Sequence, residues 1–413
     1  MKTWPLFILL FGVSVACGQQ QHNPPKQAAI HTSAAGINFL PGTIEQTLAA
    51  ARKANKPVFI EVFSPTCHVC QSFMPTLADK KAGKFYNANF VSTRADIMQK
   101  GTQAFLTKKK LFVPSLPLFL YFDAQGNLLH SAMSNNAVEE VIRHATVALD
   151  PAARANAYKQ RFEQGERNTQ FLIDYGMFAK VTTDTVANMR AMDEYAKLQS
   201  AEQIGSSTNF LVLQKLVMDM DNPLAVNLVN NLAKYKPYAT DQINPRDVAE
   251  NILMSSLYSG RGAQYPANKV LQVRDGLVKI GIAEQVANNR TLLPEVNAYF
   301  RAKQTAKATI RMNEHIAKFS FTVPEYLYVS RLFNRSSPDA TDVPTVTKWI
   351  QDALALKKAT PPEQADLYFE LAEANRRAGK VGEAQKAAQK SMELAQTTKM
   401  DTRRNIEQMG KLK

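Results

Sequence analysis

The sequence predicts an α/β domain, with a central and mostly parallel sheet flanked by helices, followed by an all-α helical domain. Three observations carry this. Between residues 37 and 150, short β-rich runs alternate with amphipathic helical ones, as in strands joined through helical crossovers. From Pro151 onward strand signal all but vanishes, and helical segments are broken at Pro223, Pro245, Pro294, Pro324 and Pro361-Pro362. A length of 413 residues exceeds one ordinary core, so at least two domains are expected.

In chain order, Thr43 opens the first helix, and Gln46 three residues later completes a capping box that satisfies orphan N–H groups at the helix start. Pro57 to Phe63 reads as an apolar strand, Asn89 to Ala95 as a second and Leu118 to Phe122 as a third. Asp123-Ala124-Gln125-Gly126 is a turn into Asn127 to His130. Asn136 is placed to cap a last helix, where Val138, Val141, Ile142, Ala145 and Leu149 recur at helical spacing and should cover the sheet. The α/β domain is thus drawn over 36–150 and the helical domain over 151–413.

Composition excludes several classes. With 45% hydrophobic and 21% charged residues the chain has enough apolar material to fold, which excludes a disordered chain. The formal charge of +14 is spread along the sequence, so a nucleic-acid partner is not expected. The Lys108-Lys109-Lys110 run reads as a solvated helix end, and a basic surface suits anionic headgroups better.

The first residues set the compartment. Lys2 precedes an apolar run from Leu6 to Ala16, too short to span a bilayer, where about 20 apolar residues are needed, and this reads as a signal peptide over 1–17. Val15-Ala16-Cys17-Gly18 resembles the end of a bacterial lipobox, with Ser14 where Leu is usual. Lipidation of Cys17 is the expectation, cleavage near Gly18 the other outcome. Residues 18–35, rich in Gln, Asn, Pro and Ala, suit a flexible tether. The protein is therefore expected in the bacterial periplasm or cell envelope, lipid-anchored to a membrane.

The sharpest chemical signal is Cys67-His68-Val69-Cys70, after an apolar strand and a Ser-Pro-Thr turn and before a helix from Gln71 to Leu77. Zinc needs four ligands and no second cysteine pair exists. Haem attachment wants histidine after the second cysteine, where Gln71 stands. A structural disulfide and a redox pair remain. At a strand-to-helix junction Cys67 meets unpaired N–H groups and the positive helix end, which in such motifs lowers a thiol pKa from about 8.5 into roughly 3.5–7.5. Cys70, one turn further in, would then resolve the mixed disulfide.

On these residues, 37 to 149 resemble a thioredoxin-superfamily domain, closest to the thioredoxin-like modules of bacterial envelope disulfide reductases. The resemblance implies a thiol–disulfide oxidoreductase. It places Glu61, six residues before Cys67, as the buried acid that exchanges the proton of the resolving cysteine. It matches Pro75 to the proline that kinks the active-site helix, and Leu116-Pro117 to the cis-proline dipeptide that faces the cysteines and pairs with substrate backbone. Physics supports two of these separately: a carboxylate inside an apolar strand is costly to bury without a role or partner, and proline opening a central strand removes a ladder donor.

Leu116 and His68 are expected to touch substrate; a protonated His68 would stabilise the Cys67 thiolate, the alternative being a solvent-exposed bystander. His68-Val69 and Thr66, where tryptophan is usual, depart from typical thioredoxin and leave the direction open, because the intervening dipeptide tunes a potential that ranges over roughly 150 mV. Reductase, isomerase and oxidase all stay open, and the resemblance to envelope reductase modules favours reductase.

No cofactor beyond the Cys67–Cys70 couple and no metal are expected, since His130, His144 and His315 show no ligand spacing. Protein disulfides and an upstream electron donor would be the partners. The competing readings are a non-catalytic helical scaffold or adaptor lipoprotein, and a copper metallochaperone. One helix pair near 362–396 resembles a tetratricopeptide repeat through Tyr368, Leu371, Ala372, Gly379 and Ala384, while Asn375 and Ala388 depart from it. A single repeat cannot bury its own face.

Overall fold

The computed structural model describes residues 36–412 apart from Gln242. The expected signal segment, the tether and Cys17 lie outside the described residues.

The first elements follow the predicted alternation: α1 (Ile44–Ala54), β1 (Val58–Phe63), α2 (His68–Ser72), α3 (Met74–Leu77), α4 (Lys80–Asn89), β2 (Val91–Asp96), α5 (Lys100–Lys108), β3 (Leu118–Phe122), β4 (Leu128–Ala132) and α6 (Val138–Leu149). The capping box of α1 is present, Thr43 Oγ1 accepting from the Gln46 N–H while Gln46 accepts from Thr43 N–H. The strand order is β2-β1-β3-β4. β1 runs parallel to β2, but β1–β3 and β3–β4 are antiparallel, so the expected mostly parallel sheet is in fact mixed. The turn at Asp123–Gly126, with Gly126 at φ +85° and its N–H on the Asp123 carbonyl at 3.0 Å, is too short for the crossover a parallel pair needs.

Every residue of β1 from Val58 to Val62 is fully buried, because helices cover both faces of the sheet. Val58, Ile60 and Val62 pack with Ile44, Leu48 and Phe105 on one side. Phe59 packs with Phe73, Tyr86 and Val141 on the other. Strand alternation puts Glu61 on the Phe59 side.

Two details of α6 differ from expectation. Ala137, not Asn136, occupies the N-cap, and Asn135 Oδ1 accepts the Ala137 N–H at 3.0 Å. Asn136 instead ties this loop to the active-site helices, its Nδ2 donating to the Ser72 carbonyl at 3.2 Å and its carbonyl accepting from Thr76 Oγ1. Leu149 is exposed and Ala148 takes the buried position.

After residue 150 the described backbone is helical apart from turns and one isolated bridge, Thr240 to Ile243. A 3-10 turn (Ala155–Ala157) leads into α7 (Tyr158–Glu163) and α8 (Thr169–Val181). Packing divides the described chain between Gly262 and Ala263, whereas the change of structural class falls near 150. The reason lies in α8: its last residue, Val181, is fully buried in the core of the sheet domain, and the Phe112 N–H donates to the Val181 carbonyl at 2.8 Å.

The unit 263–412 holds eight helices, whose main core gathers Leu292, Val296, Phe300, Phe333 and Trp349. Four of the five proline breaks open helices, but Pro294 lies inside Glu284–Arg301. Burial of Leu292, Val296 and Phe300 on that helix outweighs the roughly 3 kcal/mol an internal proline costs. Pro361–Arg377 and Val381–Thr397 form the expected helix pair, turning at Gly379 with φ +73° and burying Ala372, Ala384 and Ala388.

Candidate active site

Cys67 is the N-cap of α2, in extended conformation at φ −82°, and its Sγ accepts the Cys70 N–H at 3.2 Å. The Ser64-Pro65-Thr66 turn delivers it there, closed by the Cys67 N–H on the Ser64 carbonyl at 3.1 Å. An α-helix leaves its first N–H groups without backbone partners, and here a sulfur takes one of them. Cys67 is partly exposed and Cys70 buried, both as free thiols. Burial pushes the Cys70 thiol up to about 12, reinforced by its hydrogen bond to Cys67 and the charges of Cys67 and Glu61, against a lowering contribution from the Ser64 backbone. The two sulfurs are thus unlike: one reachable at a helix end, the other a buried, protonated thiol.

The helix breaks at Phe73, with Pro75 in the first turn of α3, where the kink was expected. Across the cysteines, the Leu116-Pro117 bond is cis. The Leu116 carbonyl stands 4.0 Å from Cys67 Sγ, and Pro117 is buried immediately before β3. His68 and Val69 are exposed on the first turn of α2.

Glu61 is fully buried, not turned outward at the strand edge. The β1–β2 register sets it opposite Arg94, whose Nε and Nη2 donate to its two carboxylate oxygens at 2.5 and 3.3 Å. The Glu61 pKa is raised by burial, a rise that Arg94 offsets only in part. Arg94 also lies over the Phe63 ring at 4.0 Å. Sequence reading missed Arg94; the signal for it was a lone cation inside Val91-Ser-Thr-Arg-Ala-Asp, beside a strand with a lone anion.

Among the described residues no group of three or more His, Cys, Asp or Glu side chains could hold a metal ion. His130, His144 and His315 are buried packing residues, the first two stacked with ring centroids 6.0 Å apart. No helix among the described residues is long and apolar enough to cross a membrane.

Residues 44–146 match the family model described as a thioredoxin-like domain. The chain is 28% identical over 123 residues to the thiol:disulfide interchange protein DsbD of Pectobacterium atrosepticum, and 32% identical over 99 residues to that of Yersinia pestis. These alignments cover 29% and 23% of this chain, and the chain spans only 21% and 16% of the relatives' length. Among solved structures, a disulphide isomerase from Xylella fastidiosa matches at 14% identity, covering 30% of this chain and 88% of that one. Its TM-score of 0.20 is too low to argue from. The chain thus carries a thioredoxin-like domain with a four-stranded sheet flanked by helices, followed by a mostly helical region.

Proposed function

We propose that this protein is an exported thiol–disulfide oxidoreductase, a reductase or isomerase, that acts on disulfides of envelope proteins through Cys67 and Cys70. The observation that carries this is Cys67 Sγ at the α2 N-cap, receiving the Cys70 N–H and facing the Leu116-Pro117 loop.

Cys67, as thiolate, attacks one sulfur of a substrate disulfide; the substrate S–S bond breaks and a mixed disulfide forms. Cys70 gives up its proton and attacks Cys67 Sγ, closing the Cys67–Cys70 disulfide and expelling the second substrate sulfur as a thiol. Two electrons pass to the substrate, and an envelope donor must return them. In reduction the chain needs no cofactor beyond this couple. A buried thiol held near 12 needs a base, and Glu61, whose charge is felt at Cys70, is assigned that proton, with Arg94 holding its carboxylate in place. Leu116 and His68 border the reacting sulfur and are assigned to substrate contact.

The test uses the full-length chain. Cys67→Ser should abolish reduction of a protein disulfide, and Cys70→Ser should accumulate mixed disulfides on Cys67. Turnover surviving Cys67→Ser, or a Cys70→Ser chain that traps no disulfide-bearing protein, would refute the assignment. Anchoring is proposed through a lipid on Cys17: Cys17→Ser should move the protein from the detergent phase to the aqueous one, and unchanged partitioning would remove the lipid.

A further inference from the structure

A cleft of about 780 Å³ lies beside strand β4 and is walled by α6, α7 and α8. Its charges do not balance. Glu140 takes Arg143 at 2.9 Å, and Glu166 takes Arg161 through two bonds of 2.7 and 2.8 Å. His130 and His144 are neutral, since burial lowers them to about 3 and about 4. Asp174 is left with Gln170 Nε2 at 2.9 Å as its hydrogen-bond donor and, among the described residues, no cation in ion-pair contact. Burial raises its pKa while Arg143 and Arg161 lower it from further away. A cleft of three carboxylates and two arginines is net negative, in a chain of net charge +14.

The cleft also holds unused polar groups. The His130 Nδ1 accepts the Ala155 N–H at 3.2 Å, so the proton of the neutral ring sits on Nε2; among the described residues that N–H has no partner, nor has Ser131 Oγ. Most buried polar groups in native structures are satisfied. Beyond His130, Met133 lines the cleft, and Ser115 Oγ donates to its Sδ at 2.7 Å. Ser115 precedes Leu116, whose carbonyl faces Cys67 Sγ. The cleft therefore begins next to the loop that borders the nucleophile, along a strand that pairs with no further strand among the described residues.

We propose that this cleft is a substrate subsite that receives an extended segment of the protein whose disulfide is exchanged, with a lysine or arginine of that segment on Asp174. A cleft lined along β4 from His130 to Ala132 suits an extended chain, and a cation on Asp174 supplies the missing counter-charge. The inference rests on the thiol–disulfide reading above, but it adds α8 to the recognition surface.

The test compares short peptides carrying one activated mixed disulfide and a lysine at successive positions on either side of the cysteine, against the same peptides with glutamine. A small-molecule disulfide is the control. For at least one placement the full-length chain should show kcat/KM about tenfold higher for lysine, the effect of one charge-assisted hydrogen bond. That preference should shrink as salt is raised and vanish in Asp174→Asn, with the small-molecule rate unchanged in both. Equal rates for lysine and glutamine at every placement, or a preference for glutamate, overturn the subsite while small-molecule turnover keeps the parent reading intact. Failure on the small-molecule disulfide itself would instead remove the parent reading. The salt dependence needs only the unaltered chain, so a poorly folding Asp174→Asn cannot leave the question open.

Discussion

Two buried glutamate–arginine pairs, one in each compact unit, look alike and differ in what stands next to them. Glu61 is fully buried, with an Arg94 side chain 11% exposed; Glu295 is 3% exposed, with an Arg311 side chain 12% exposed. The arginine Nε meets the carboxylate at 2.5 Å in the first and 2.8 Å in the second. In the sheet domain one arginine holds both oxygens of Glu61. In the helical unit Arg311 and the Tyr299 hydroxyl share Glu295 between them, and Arg311 spends its Nη2 on the Asn288 carbonyl. Residues 263–412 contain no cysteine, whereas the charge of Glu61 is felt at Cys70. A buried ion pair is therefore not in itself a mark of chemistry. What distinguishes Glu61 is a neighbouring thiol, Cys70, which the proposed exchange requires to lose a proton.

The largest expected effect tests that likeness. Glu61→Ala and Glu295→Ala each strand a nearly buried guanidinium, and each should lower unfolding free energy by about 3–5 kcal/mol, read from denaturant midpoints of the full chain. The isosteric Glu61→Gln and Glu295→Gln then separate the two. Only Glu61→Gln should slow the release of the mixed disulfide by Cys70 at neutral pH and shift its pH profile to higher pH. An equal shift from Glu295→Gln would show that Cys70 reports general loosening and not its own proton acceptor.

A smaller effect concerns acid. Burial holds His130 at about 3, His144 at about 4 and, in the other unit, His315 at about 4. These folded values lie below the ordinary histidine value of about 6.5, so the unfolded chain binds more protons in acid. The stability they contribute is complete above about pH 6.5 and is lost progressively as pH falls toward 4. Hydrogen exchange followed down that range should show both units losing protection, and His130→Phe should flatten the loss in 36–262 alone. Protection independent of pH in either unit would mean that its histidines already bind protons in the fold.

Local order was legible in the chain itself. The strand, Ser-Pro-Thr turn and helix around Cys67 and Cys70, the Thr43–Gln46 box, the turn at Gly126 and the helix pair around Gly379 depend on neighbours a few residues apart, where steric and hydrogen-bond rules act directly. Pairing across distance was not legible. That Arg94 meets Glu61 is decided by the β1–β2 register, and that β3 runs antiparallel to β1 by the course of the chain between them. That Pro294 sits within a helix and Val181 completes the sheet core is decided by burial, which overrides local preference. Asp174 likewise is, along the sequence, one acid between Ile173 and Tyr175. Only the packing of α8 beside β4 leaves it without a counter-charge, because electrostatic balance is a property of side chains brought together and not of their order along the chain.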